Sequence, residues 1–310
     1  MFVFLPLVLP LTALPITRLA EHYLHPRSAT RLLSLVGGVL AVSSTLCLAL
    51  LVVVGTAQLP GNPLPDGWSD PEVRAAVPFD EVAGKAAIVA LVPVILACAA
   101  TVRRHHRARR RAQEAVAGLA DELVTTLPDD EAYAYALPAA SGKPGRIVVS
   151  TAMLACLNAS ERRALIAHEH AHLAGRHHRY LLAAQLAARA NPLLRPLRGA
   201  VAYCAERWAD EEAAGVVADR KVVARAVGKA ALVSRGTPAP TLAGFAAPGP
   251  VPRRVAALLG PVPSARNWPP AYTAAGVAAW VAAGGSAASA LSSANAAIAL
   301  FRVLQSATPL

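Results

Sequence analysis

The segment His168-Glu169-His170-Ala171-His172 has the form H-E-x-x-H. On a helix, a spacing of four is just over one turn, so His168 and His172 project from one face and can hold one Zn2+ between them. Glu169 adjoins a ligand and can reach a water activated by the metal, which makes it the general base. Two imidazoles and one carboxylate leave a tetrahedral ion a fourth position, as hydrolysis requires. The stretch Glu206-Arg207-Trp208-Ala209-Asp210 supplies two carboxylates one turn apart. One of them can ligate while the other hydrogen-bonds a ligand imidazole from behind. Helix surfaces often carry such acids merely as solvated groups. With nine histidines in 310 residues, however, a chance H-E-x-x-H is an event on the order of one per cent, and the capping and hairpin signals around it make accident rarer still.

The neighbouring groups sort differently. His170 is an x of the motif, and His177 and His178 lie past Gly175, so all three read as surface histidines. Cys204 is about half a turn from Glu206, which argues against ligation. Tyr203 shares a face with Glu206 and is the one suggestion for electrophilic help beyond the metal.

These side chains need rigid elements. Asn158 with Glu161 three residues on has capping-box spacing, and Gly175 is a stop, so a helix is predicted over Ala159–Ala174. Further helices are expected over 180–189, 199–217 and 219–234. Before the motif, 132–137 and Arg146–Ser150 read as two strands of an antiparallel hairpin around the turn residues Ser141-Gly142-Lys143-Pro144. Arg146–Ser150 is short and β-branched, and is expected to be an edge that pairs with an extended substrate. Residues 236–252, rich in Pro, Gly and Ala, read as a loop.

The composition sets the environment. Hydrophobic residues make up 55% and charged ones 16%, and the mean hydropathy is +0.42, which favours a membrane protein. Residues 32–57 carry no charge and 82–102 only Lys85, and each is long enough to cross a bilayer core of about 30 Å. Residues 2–20 give a shorter, proline-interrupted first span; a signal peptide would need a basic leader and a small-residue cleavage site, and both are missing. The uncharged stretch 268–301 gives a fourth span, expected to pack through Gly276, Gly284 and Ala288. The net charge of +11 would suit nucleic acid, but the basic residues flank apolar runs, as a topology signal does, and nucleic acid is not expected as a partner. Arg18, Arg27 and Arg31 lie in the first loop, the 58–81 loop is acidic, and a dense basic run spans 103–111. By the positive-inside rule the region 103–267 is cytoplasmic and both termini are extracytoplasmic. The four cysteines form no C-x-x-C pair, so neither a disulfide framework nor a cysteine metal site is supported.

Three spans, a basic run, Gly145-Arg146-Ile147-Val148-Val149-Ser150, the helix around His168 and the Glu206 to Asp210 stretch, followed by another span, together resemble the integral-membrane zinc metallopeptidases of the beta-lactam sensor-transducer family. More distantly the chain is similar to the heat-shock and prenyl-protein membrane metallopeptidases. The resemblance implies a mainly α membrane protein of four spans, with an α+β gluzincin-like domain over 103–267 inserted between the third (1–102 being the membrane domain) and the fourth (within 268–310). It also implies Zn2+ on His168, His172 and Glu206, catalysis by Glu169, and Asp210 behind a ligand. In sensor members a penicillin-binding domain follows the last span, and cleavage leads to loss of a transcriptional repressor. Here the sequence ends at Leu310, so that sensor and direct beta-lactam recognition are not expected. The implied partners are a protein or peptide substrate, with a repressor as one case, and membrane lipid. The rival reading is a non-catalytic scaffold or signal relay with a structural metal, for which Glu169 would have no use.

Overall fold

The computed structural model of the protein describes residues 4–57, 59, 61, 80–139, 144–234, 251–263 and 272–306. The acidic loop, the turn at 141–143 and nearly all of the Pro- and Gly-rich loop lie outside the described residues.

Apolar sequence without charge becomes long helix here, since a helix satisfies its own backbone groups without water. The N-terminal stretch comes in pieces, Leu5–Val8, a 3-10 turn Leu9–Thr12, and α1 (Ala13–Tyr23). Pro6 and Pro10 fall in the first turns of their pieces, where a missing N–H costs least. The long helices are α2 (Pro26–Ala57), α3 (Asp80–Ala115) and, at the end of the chain, α10 (Ala274–Ser306). Among the described residues, three helical stretches are long and apolar enough to cross a membrane, Pro26–Ala57, Val82–Ala115 and Gly276–Ala299.

Helix α10 packs only in part as expected, with Gly276 buried. Gly284 and Ala288 are exposed, and the buried stripe is Ala279, Ala282, Ser286, Ser289 and Ser293, with Ser293 Oγ donating to the Ser43 carbonyl of α2 at 3.2 Å. The small-residue contact lies instead between α2 and α3. A Cβ on Gly55 would lie 2.5 Å from the Gly84 carbonyl carbon, so only glycine permits this backbone approach.

The basic end of α3 leads to a three-stranded sheet, β1 (Val124–Leu127), β2 (Ala134–Leu137) and β3 (Arg146–Ser150), in the order β1-β3-β2. The expected hairpin is present, with β2 antiparallel to β3. The expected edge is not: β1 pairs parallel to β3 on its other side, so Arg146–Ser150 is the central strand and all five of its residues are buried. Four-residue β1 is too short for its alternation to announce it. The edges are β1 and β2, and β2 is the one that lines the cavity beside α5. Ser150 N–H donates to the Tyr133 carbonyl, and with the register this turns Tyr135 toward β3 and leaves the Ala134 and Ala136 peptide groups facing outward.

Helix α4 (Thr151–Cys156), capped by Ser150, precedes α5 (Ala159–Ala174). The α5 capping box is complete: Glu161 N–H donates to Asn158 Oδ1 at 2.9 Å and Asn158 N–H to Glu161 Oε2 at 3.0 Å. Then follow α6 (His177–Ala190), α7 (Arg195–Val217), α8 (Arg220–Val233, capped by Asp219) and α9 (Val251–Leu259). Helix α6 begins three residues and α7 four residues earlier than the sequence implied, because Arg176 takes a left-handed φ of 51° that turns the chain directly into α6, and Pro196 is tolerated in the first turn of α7. Lys229 of α8 donates to the Glu161 carboxylate at 2.7 Å, tying the start of α5 to α8. The largest core joins the two parts of the molecule: Leu33, Val36 and Leu40 of α2 pack with Ala184 and Ala187 of α6 and with Leu197 and Val201 of α7.

Gly84→Ala should force α2 from α3 and lower the thermal unfolding midpoint, since overpacking costs roughly 1–3 kcal/mol. Gly38→Ala, where a Cβ meets nothing within 4 Å, should leave it unchanged. Equal midpoints for the two variants would contradict the close approach.

Candidate metal centre

Helix α5 aims its motif at α7. His168 Nε2 and His172 Nε2 are 3.1 Å apart, and they lie 3.4 and 3.5 Å from Glu206 Oε2 and Oε1. Among the described residues these three form the group that could hold a metal ion. Bonds of about 2.0–2.1 Å would place tetrahedral ligand atoms about 3.3–3.4 Å apart, so the spacing fits Zn2+ or an ion of similar size.

The outer nitrogens are also arranged. His168 Nδ1 is 3.1 Å from Asp210 Oδ1. His172 Nδ1 is 2.9 Å from His177 Nδ1, so a His172 that keeps Nε2 for a cation would carry its proton on Nδ1 and donate it to His177. His177 is thus fully buried, not a surface residue as its place past Gly175 implied. Gly175 allows this, since a Cβ there would lie 2.6 Å from His177 Cδ2. The His177 ring packs on Trp208 with centroids 4.4 Å apart, and Arg27 and Arg31 of α2 each lie 5.4 Å from the Trp208 ring centre. His170 is exposed as expected, whereas His178 is half-buried and lines the cavity beside the site.

Arg254 of α9 was not among the expected site residues. Its Nη1 is 2.8 Å from Glu206 Oε2, and Nη2 and Nε donate to Asp210 Oδ1 and Oδ2 at 2.6 and 2.9 Å. The one sequence signal is its spacing of four from Leu258, also buried, which puts Arg254 on the inward face of an amphipathic helix. Burial alone would raise both carboxyls, but Arg254 outweighs it, holding Glu206 well below the usual carboxylate range and Asp210 below it. Burial disfavours charge on His168 too, yet its hydrogen bonds to Asp210 and Glu206 hold it up at about 10. For His172 burial prevails and pushes it down to about 4.

Glu169 lines a cavity of about 300 Å³ together with His168, His172, Glu206 and Arg254. Burial, with the nearby Glu206 carboxylate adding to it, pushes Glu169 up to about 7. The Ala136 backbone N–H, one of the outward-facing groups of β2, opposes this rise. Tyr203 does not line this cavity; its ring lies under Arg253 at 4.2 Å. Cys204 is buried in the core with α2.

Arg254→Met should leave two buried carboxylates without their counter-charge and destabilise the fold by about 3–5 kcal/mol, the usual cost of breaking a buried pair on one side. Arg254→Lys should lose less. Denaturant unfolding of purified protein measures both, and a Met variant as stable as the parent would contradict the pairing.

A family model for peptidase family M48 matches residues 99–262, more than half of the 310 residues. The match covers the basic end of α3, the sheet and every residue of the candidate centre, and it does not single out the sensor-transducer family. No curated protein and no solved structure matches the chain. The chain belongs to peptidase family M48, a membrane-associated metallopeptidase in which H-E-x-x-H and a distant carboxylate converge.

Proposed function

We propose that the protein is an integral-membrane zinc endopeptidase of the gluzincin type, in which His168, His172 and Glu206 hold the metal, Glu169 is the general base, and Asp210 orients His168. The observation that carries this reading is the convergence of three ligand atoms at tetrahedral spacing, with Glu169 beside them on a cavity wall. When bound, zinc supplies Lewis-acid polarisation of the scissile carbonyl. Glu169 takes the proton of the attacking water and passes it to the leaving amine; its elevated pKa of about 7 suits a group that must both accept and release a proton near neutrality. Asp210 and His177 fix the ring orientations of His168 and His172.

An extended substrate is proposed to lie along β2 as a further strand, pairing with the outward peptide groups of Ala134 and the outward carbonyl of Ala136. This replaces the central strand Arg146–Ser150 in that role. The topology proposed from loop charges has four spans, 103–267 in the cytoplasm and both termini outside. Cleavage leading to loss of a transcriptional repressor rests on the resemblance to sensor-transducer peptidases alone. Against the scaffold reading stands the position of Glu169 on the cavity wall, where a structural metal site has no need of a carboxylate.

Glu169→Gln should retain metal and lose about 10²- to 10⁴-fold in cleavage rate, whereas Glu206→Gln should lose metal affinity as well. Metal content and hydrolysis of a cleavable peptide, read on the same preparations, decide this. A Glu169→Gln protein that cleaves at the parental rate would end the assignment of the base.

Ala134→Pro removes an outward N–H that Glu169 does not share, without touching the β2–β3 ladder. It should raise KM or abolish cleavage while metal content stays at the parental level. Unchanged kinetics would place the substrate elsewhere.

A further inference from the structure

The elbow between α6 and α7 has a composition that the metal centre does not explain. No Asp or Glu occurs from residue 170 to 205, while Arg189, Arg195 and Arg198 lie within about a turn of the elbow at 190–194. Arg189 and Arg195 are exposed and Arg198 is half-exposed. Among the described residues none of the three has an ion-pair partner. Between them Leu193 is 42% exposed, while Leu194 and Leu197 are fully buried against α2.

Two spans measure how deep the elbow sits. On α2 the last charge before the apolar run is Arg31, and a Cβ on Gly37, six residues further and about 9 Å along the helix, would lie 3.4 Å from Leu197 and 3.8 Å from Ala187. On α3 the charge-free run ends at Val102, and Cys98, four residues or about 6 Å inside it, has its Sγ 3.9 Å from the Leu186 carbonyl. Both contacts are made by the flanks of the hairpin, so its tip lies deeper still. A headgroup layer is only about 5–7 Å thick on each side of the hydrocarbon. The elbow therefore reaches past the headgroup layer beside two apolar spans, where exposed arginine side chains are long enough to snorkel back to the phosphates. In hydrocarbon such side chains are costly; beside phosphate oxygens they are bidentate donors to a matching acceptor.

We infer that the α6–α7 elbow is a lipid-binding surface, on which Arg189, Arg195 and Arg198 take the phosphates of anionic lipid headgroups and Leu193 enters the acyl boundary. The surface is built into the two helices that carry His177 and Glu206, so lipid contact fixes the height of the candidate metal centre over the bilayer. The inference concerns binding alone and does not depend on the peptidase reading.

The test uses the full chain reconstituted in phosphatidylcholine vesicles with and without phosphatidylglycerol. Electron paramagnetic resonance of spin-labelled phosphatidylglycerol and phosphatidylcholine gives the fraction of each that is motionally restricted at the protein surface. A basic residue near an anionic surface contributes roughly fivefold to association. The parent should prefer phosphatidylglycerol several-fold, less so at high salt. The triple variant Arg189→Gln, Arg195→Gln, Arg198→Gln should lose most of that preference, the triple change to Lys should keep it, and Arg163→Gln, an exposed arginine on α5, should not alter it. Metal content and circular dichroism of each preparation confirm that the fold is intact. A parent without preference, a triple Gln variant that keeps the parental preference, or a triple Lys variant that loses it would overturn the inference.

Discussion

Two carboxylates, Glu206 and Asp210, are buried one turn apart on α7, and the surroundings are arranged around the need to neutralise them. Isolated charges at that depth are prohibitively unfavourable. Arg254 answers both with three contacts, and His168 answers them from the opposite helix. The opposition of α5 to α7 and the docking of α9 thus depend on one electrostatic requirement. That requirement also prepares the centre for a cation, because Glu206 is kept ionised and a positive charge between it and the imidazoles is favoured.

The metal-side helices are not a separate globule tethered to spans. Leu33, Val36 and Leu40 of α2 share a core with α6 and α7, and Arg27 and Arg31 at the start of α2 lie over Trp208, which in turn packs on His177. A continuous set of contacts therefore runs from the beginning of an apolar span to the ring behind His172. Displacement of α2 would be felt at that ring through packing, since close-packed interiors transmit strain.

What the sequence determined by itself were the features with a short local cause. The capping box at Asn158 and Glu161 set the start of α5, and the fourfold spacings placed His168 with His172 and Glu206 with Asp210 on single faces. The absence of charge over 32–57 and around 82–102 marked long apolar helices because backbone groups in lipid have no other partner. Tertiary structure decided whatever depended on residues far apart in the chain. Strand β3 became central only because β1, about twenty residues earlier, paired with its free side. His177 became buried because the left-handed turn at Arg176 and the missing side chain of Gly175 folded it under His172, an outcome that no spacing rule expresses. Arg254 joined the centre across 44 residues, since the charge of Asp210 can select a partner by proximity and leaves no periodic trace in the sequence.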